Sequence, residues 1–135
     1  MVAGAGFIVF RKFADGIKVL GLIGPKVHRE RCNGTYDVPK GTIDPGEDSF
    51  SCAIREAHEE TGYNIRMQDV TAGPHVYGLL SIWLAEVYED PIIMENPHNG
   101  IIEHEGYDWL DPKDLVNECY NYLTPAAIWA AQKIN

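Results

Sequence analysis

Apolar and polar positions divide the chain into short strands and a few helices. "GAGFIVFRKF" and "IKVLGLIG" are apolar runs joined by a turn at Asp15-Gly16, and Phe7, Val9, Val19 and Leu20 give them strand character. "GPKVHRERCNGTYDVPKG" is polar and broken by Pro and Gly, so it reads as a loop with a short strand near Tyr36 to Val38. A helix is predicted over about Ser49–Thr61, with Asp48 as N-cap and Gly62 just past its end. Phe50, Ala53, Ile54 and Ala57 share one arc of that helix, which is expected to face the core. "HVYGLLSIWLAEVYED" reads as one long strand or two, "NPHNG" as a loop and "GYDWLD" as a further strand. "PKDLVNECYNYL" and "PAAIWAAQKI" read as helices, with Asp111 and Thr124 as caps ahead of Pro112 and Pro125. Strands mixed with few helices predict an α+β sandwich with a mixed sheet, in a single domain over residues 1–135.

Composition narrows the class. Apolar residues make up 45% of the 135 and charged residues 23%, as in a globular protein with one core. The net charge of −9 argues against binding long DNA or RNA through phosphates, though a bound cation can reverse the local sign for a small anionic substrate. The 3 cysteines lie far apart and lack metal-ligand spacing, which suits free thiols in a reducing cytoplasm. The apolar stretch Val2–Phe10 has no basic residues before it and is read as a strand, not a leader. No apolar run approaches the ~18 residues of a membrane helix. Gly4-x-Gly6 precedes a strand and does not link a strand to a helix, so it is not a dinucleotide loop.

The predicted helix over Ser49–Thr61 carries the chemistry. Glu56, Glu59 and Glu60 fall on the arc beside its apolar one, where like charges repel by a few tenths of a kcal/mol per pair. Taken alone, an acidic arc is a solvated face. A cluster of carboxylates on a rigid element also suits a hard cation such as Mg²⁺. The surrounding order decides between them. Gly41, five residues, Glu47, seven residues, Arg55-Glu56, two residues, Glu59-Glu60, one residue and Gly62, followed by apolar Tyr63, is the full Nudix box. The chain therefore resembles the Nudix hydrolases, with Ala57 at the apolar position after the Arg-Glu pair.

That resemblance implies an α/β/α sandwich in which the box forms a loop, a helix and a loop. It also implies hydrolysis of a nucleoside diphosphate linked to another group, with Mg²⁺ or Mn²⁺. Glu56, Glu59 and Glu60 would be metal ligands, joined by the Gly41 carbonyl. Arg55 would hold the glutamates through Glu47 or Glu59. Glu56 is the first choice of general base, with Glu59, Glu60 or a glutamate outside the box left open. The expected catalytic set is thus Arg55, Glu56 and Glu59.

A second resemblance is narrower. "VPKGTIDPGED", "WLAEV" and "EHEGYDWL" are similar to segments of diadenosine tetraphosphate hydrolases. It implies Glu103 as a further ligand or base, with Glu105 as rival. Thr42 replaces that group's His, Ile82 a Tyr thought to stack on adenine, and Tyr36 a Trp. Stacking would then fall to Tyr77, Tyr36 or Tyr122. Lys40 beside the box is read as a phosphate contact. His28, Arg29 and Arg31 are either a solvated loop or a loop facing the far phosphates. His58 is expected to be exposed, and His75, His98 and His104 show no pairing that indicates a metal site. The expected substrate is a small nucleotide, led by a dinucleoside polyphosphate cut to ATP and AMP. Nucleoside triphosphates, ADP-ribose and RNA 5′ ends are alternatives, as is a nucleotide-binding module without turnover.

Overall fold

The structure, a computed structural model, describes residues 3–97 and 99–134; His98 lies outside them. The chain order is β1 (Gly4–Phe13), β2 (Gly16–Ile23), α1 (Lys26–Arg31), β3 (Tyr36–Asp37), β4 (Lys40–Thr42), α2 (Ser49–Thr61), β5 (Val70–Tyr77), β6 (Leu80–Glu86), β7 (Gly106–Leu110), α3 (Pro112–Glu118) and α4 (Thr124–Ile134). The sheet is mixed. β1 runs parallel to β6 and antiparallel to β2, and β5 closes against β6.

Side-chain alternation sorts the core. Phe7 and Val9 of β1, with Leu20 and Leu22 of β2, face Cys52, Ala53 and Ala57 of α2. Ile8 and Phe10, with Val19, face Leu115, Ala126, Ala127 and Ala130 of α3 and α4. Helices thus cover both faces of the sheet, which gives the α/β/α sandwich.

The registers show how the site segment is placed. β1 pairs with β2 only from Phe10 to Phe13. Nearer its start, β1 pairs instead with β4, and the far end of β2 pairs with β3. Residues 36–42 therefore fill a split between the two strands. The Phe7 N–H donates to the Pro39 carbonyl at 2.9 Å. A side chain at Gly6 would collide with Pro39 and Lys40, so this glycine admits the inserted segment.

Several elements differ from the sequence prediction. The basic segment is a six-residue helix, α1, not a loop. Of the two readings of the long apolar stretch, two strands is the one found, with the turn at Gly78 of φ +61°. α3 stops at Glu118, because the Glu118 carbonyl accepts the Thr35 N–H at 2.8 Å and the Tyr120 N–H donates to the Tyr36 carbonyl at 2.8 Å. Those bonds to another segment replace the helical ones. Asp111 occupies the N-cap position but makes no capping bond; its carboxylate accepts from Lys18 Nζ at 2.6 Å. Thr124 is itself helical and does not cap α4. Among the described residues no helix is long and apolar enough to cross a membrane.

Candidate active site

Helix α2 begins and ends as its sequence dictates. The Asp48 carboxylate accepts the Ser51 N–H at 2.7 Å, and Gly62 takes a left-handed φ of 75°. Its buried arc is rotated from the expected one. Cys52, Ala53, Ala57, Glu60 and Thr61 are buried, whereas Phe50 and Ile54 are half-buried. Glu60 thereby points inward, and His58 is exposed as expected.

Arg55 organises the carboxylates. Its Nε and Nη2 donate to the two oxygens of Glu47 at 2.8 and 3.0 Å. Nη1 donates to both Glu56 and Glu59 at 3.0 Å, and Nη2 also reaches the Thr42 carbonyl at 3.1 Å. The two partners expected from the sequence, Glu47 and Glu59, are both held, and Glu56 with them. The Arg55 hydrogen bonds, with the Asp44 N–H, hold the Glu47 carboxyl down at about 2.

Glu56 lies against Gly41, where any side chain would collide with its carboxylate. Burial raises the Glu56 carboxyl above its ordinary range; Arg55 opposes this and Glu59 adds to it. Burial also pushes Glu60 well up, and repulsion from Asp37, Glu56 and Glu103 outweighs the attraction of Lys40. Carboxylates gathered at a site that resists their charge fit a divalent cation, which would relieve the repulsion.

A stability test follows. With a raised folded pKa, ionising Glu60 opposes folding. The metal-free protein therefore gains stability as pH falls through that value toward the ordinary 4.5. Glu60→Gln keeps an acceptor for the Lys40 N–H and removes the charge. It is expected to melt higher than the wild type without metal at pH 7, by about 4 °C per kcal/mol relieved. It is also expected to show a smaller rise on adding Mg²⁺. Differential scanning calorimetry with and without Mg²⁺ checks both.

Two hollows flank Lys40. One, of about 290 Å³, is lined by His28 and Arg31 of α1, Asp37, Lys40, Glu60, Glu103, His104 and two tyrosines, Tyr120 and Tyr122. The other is lined by Lys40, Gly41, Thr42, Tyr77, Leu80 and Tyr122 among others. Lys40 and Tyr122 form the wall between them, with the ammonium 5.4 Å from the Tyr122 ring centre. The Lys40 ammonium also lies 3.0 Å from Asp37. Burial lowers its pKa, but Asp37 and Tyr122 outweigh this and hold it protonated.

The structure thus brings Lys40, Gly41, Glu56, Glu60 and Glu103 to one place, with Arg31 and Tyr77 in the two hollows. Glu103 is exposed and accepts from Asn96 Nδ2 at 3.4 Å. Its rival Glu105 faces Arg29 at 3.3 Å instead. Tyr36 stands apart from the site. It is buried, and its hydroxyl donates to Asp108 at 2.6 Å, so its ring packs in the core and is closed to a nucleotide base. Ile82 is likewise buried, and His75 packs beside Trp129.

Two residues of the site were not read from the sequence, Asp37 and His104. His104 Nε2 donates to Asp37 Oδ2 at 3.0 Å, across 67 positions. The buried Asp37–Glu60–His104 group has ligand atoms within 4.8 Å of one another. His104 thus has a buried carboxylate partner that its place in the sequence did not suggest. Asp37 offered no local signal beyond lying three residues before Lys40, whereas His104 stands within the "EHEGYDWL" segment without a role having been read for it.

Comparison with known proteins agrees with this geometry. Residues 12–131 match the NUDIX domain. The chain is 30% identical over 129 residues to the asymmetrical bis(5′-nucleosyl)-tetraphosphatase of Caenorhabditis elegans, covering 86% of this chain and 83% of that protein. It is 35% identical over 77 residues to an ADP-ribose pyrophosphatase of Saccharomyces cerevisiae, covering 56% of this chain and 32% of that one. A binary complex of the C. elegans Ap4A hydrolase has the same fold, with TM-score 0.68 and 23% identity over 98% of this chain and 94% of that one. So has a MutT protein from Methanosarcina mazei Go1, with TM-score 0.65 and 17% identity over 98% and 94%. With the box intact and the sandwich built around it, the chain belongs to the NUDIX domain family and is a Nudix hydrolase.

Proposed function

We propose that this hydrolase cleaves a pyrophosphate bond in a dinucleoside polyphosphate such as diadenosine tetraphosphate, giving ATP and AMP. The observation that carries the reading is the arrangement around Lys40. An acidic cluster on α2 adjoins a hollow that brings Arg31, His28 and Lys40 beside carboxylates on one side, and a hollow with an exposed tyrosine, Tyr77, on the other. Such a site suits a substrate with phosphates in the middle and a base at an end. The similarity to the C. elegans tetraphosphatase supports the same substrate class.

Glu56, Glu59, Glu60 and the Gly41 carbonyl would hold Mg²⁺ or Mn²⁺, with Glu103 beside them. A bound divalent cation neutralises phosphate charge and acidifies water. Glu56, held by Arg55 at 3.0 Å and partly desolvated, takes the proton from the attacking water. Lys40 and Arg31 attract the phosphates further along the chain. Tyr77 and Tyr122 offer rings for a base, which replaces the role expected of Tyr36. A substrate held at a fixed distance from one end is cut off-centre, because attack needs its atoms within about 3–3.5 Å.

Chromatography of early products tests the register. ATP and AMP are expected from diadenosine tetraphosphate. Two ADP contradict the register, and preferred turnover of ATP or ADP-ribose rejects the substrate class. Binding with Mg²⁺ but without turnover would assign a nucleotide-holding module instead.

Lys40→Ala tests the phosphate contact. It keeps the backbone N–H that Glu60 accepts at 2.9 Å, so Mg²⁺ affinity is expected to stay within about twofold. kcat/KM is expected to fall by about tenfold or more, since a charged hydrogen bond contributes about 1.5–3 kcal/mol. Steady-state kinetics beside a metal titration checks this. Wild-type kcat/KM on every substrate would return Lys40 to a structural role.

A further inference from the structure

Four polar groups close a ring behind α2. The Lys40 ammonium meets Asp37 Oδ1 at 3.0 Å, and Asp37 Oδ2 accepts from His104 Nε2 at 3.0 Å. His104 Nδ1 faces Glu60 Oε1 at 3.7 Å. Glu60 Oε2 accepts the Lys40 backbone N–H at 2.9 Å, returning to the start. Asp37, Glu60 and His104 are only 7%, 5% and 4% exposed. The Val38 N–H, donating to Asp37 Oδ1 at 2.8 Å, ties the ring to the inserted segment. Polar groups buried this deeply are costly to leave unpaired, so the ring favours one arrangement.

The spacing of Asp37, Glu60 and His104 would also suit a further cation. Their surroundings argue against it. The Lys40 ammonium already occupies one face of Asp37, and a divalent ion on the same carboxylate would set two cations against each other where water screens little. The ring is better suited to holding its members than to binding an ion.

We infer that His104 is a positioning residue. Hydrogen-bonded to Asp37 and packed 3.7 Å from Glu60, it fixes the phosphate-facing Lys40 relative to the metal-facing carboxylate of α2. This rests on the reading of α2 as a divalent-metal site. Asp37 holds the ammonium in place, and His104 holds Asp37. Glu60 is held from one side by the Lys40 backbone and is flanked on the other by the imidazole. Loss of His104 loosens both ends together.

The test pairs two measurements: Mn²⁺ affinity by calorimetry on the whole chain without nucleotide, and KM with kcat on diadenosine tetraphosphate. His104→Ala is expected to weaken Mn²⁺ by about tenfold or more and to raise KM, the scale found when a partner of a metal ligand is removed. His104→Gln places an amide nitrogen where Nε2 lies and can still donate to Asp37, so it is expected to restore KM while Mn²⁺ stays weak. His104→Asn places its nitrogen nearer Nδ1 and leaves KM raised. A variant that only lost packing would melt lower and keep both constants. If His104→Ala melts lower with Mn²⁺ affinity and KM unchanged, the inference is wrong. If His104→Ala does not fold, equal KM values for the Gln and Asn variants overturn it. A wild type that binds no Mn²⁺ removes the metal reading itself, whereas a wild type that binds Mn²⁺ no more tightly than its His104 variants removes only the ring's role.

Discussion

Glu56→Gln is expected to lower kcat by roughly 10²-fold or more while the protein stays folded. The substitution preserves size, so the close approach to Gly41 survives, and an amide oxygen can still accept from Arg55 Nη1. What disappears is the negative charge and the ability to take a proton. Burial and the neighbouring Glu59 raise this carboxyl above its ordinary range, which brings it nearer the pH at which a base works best. Circular dichroism and melting establish folding, and kcat at saturating substrate and Mg²⁺ gives the effect. Near wild-type turnover would show that Glu56 is neither base nor essential ligand.

Arg55→Ala is expected to lower kcat/KM by about 10²-fold and to lower the melting temperature as well. One guanidinium holds Glu47, Glu56 and Glu59 at 2.8–3.0 Å. Without it, three carboxylates remain close together with their shared cation gone. Arg55→Lys is not expected to rescue the loss. A single ammonium cannot meet both oxygens of Glu47 and still reach the glutamates on the helix, because that takes the planar fork of arginine. Kinetics of both variants, with thermal melts in the same buffer, checks the pair. A lysine variant of wild-type activity would reduce Arg55 to a charge without geometry.

The helix of the site was legible because its determinants are local. Asp48, Gly62 and the intervening apolar spacing act within a few residues, and the box residues lie between Gly41 and Tyr63. β1 and β2 were legible for the same reason, being joined by a tight turn. Non-local determinants stayed hidden. The end of α3 at Glu118 depends on bonds to Thr35 and Tyr36, which outweigh a helical pattern continuing to Leu123. The place of Tyr36 in the core depends on Asp108, and the pairing of Asp37 depends on His104, each across about seventy positions. Glu60 shows the intermediate case. Its presence in the box was plain, but its inward orientation follows from which side of α2 packs on β1.

The split between β1 and β2 has a consequence for how the protein acquires activity. Residues 36–42 need two finished edges to pair with, one from β1 and one from β2, and β2 must in turn be flanked by β7 from late in the chain. Contacts of such long sequence separation form slowly, because loop closure precedes the bonds that reward it. The amides of Phe7 and Lys40, bonded to Pro39 and Glu60, should therefore exchange with solvent only on global opening. In a refolding experiment, metal binding should appear together with the last tertiary signal, after helical structure has formed.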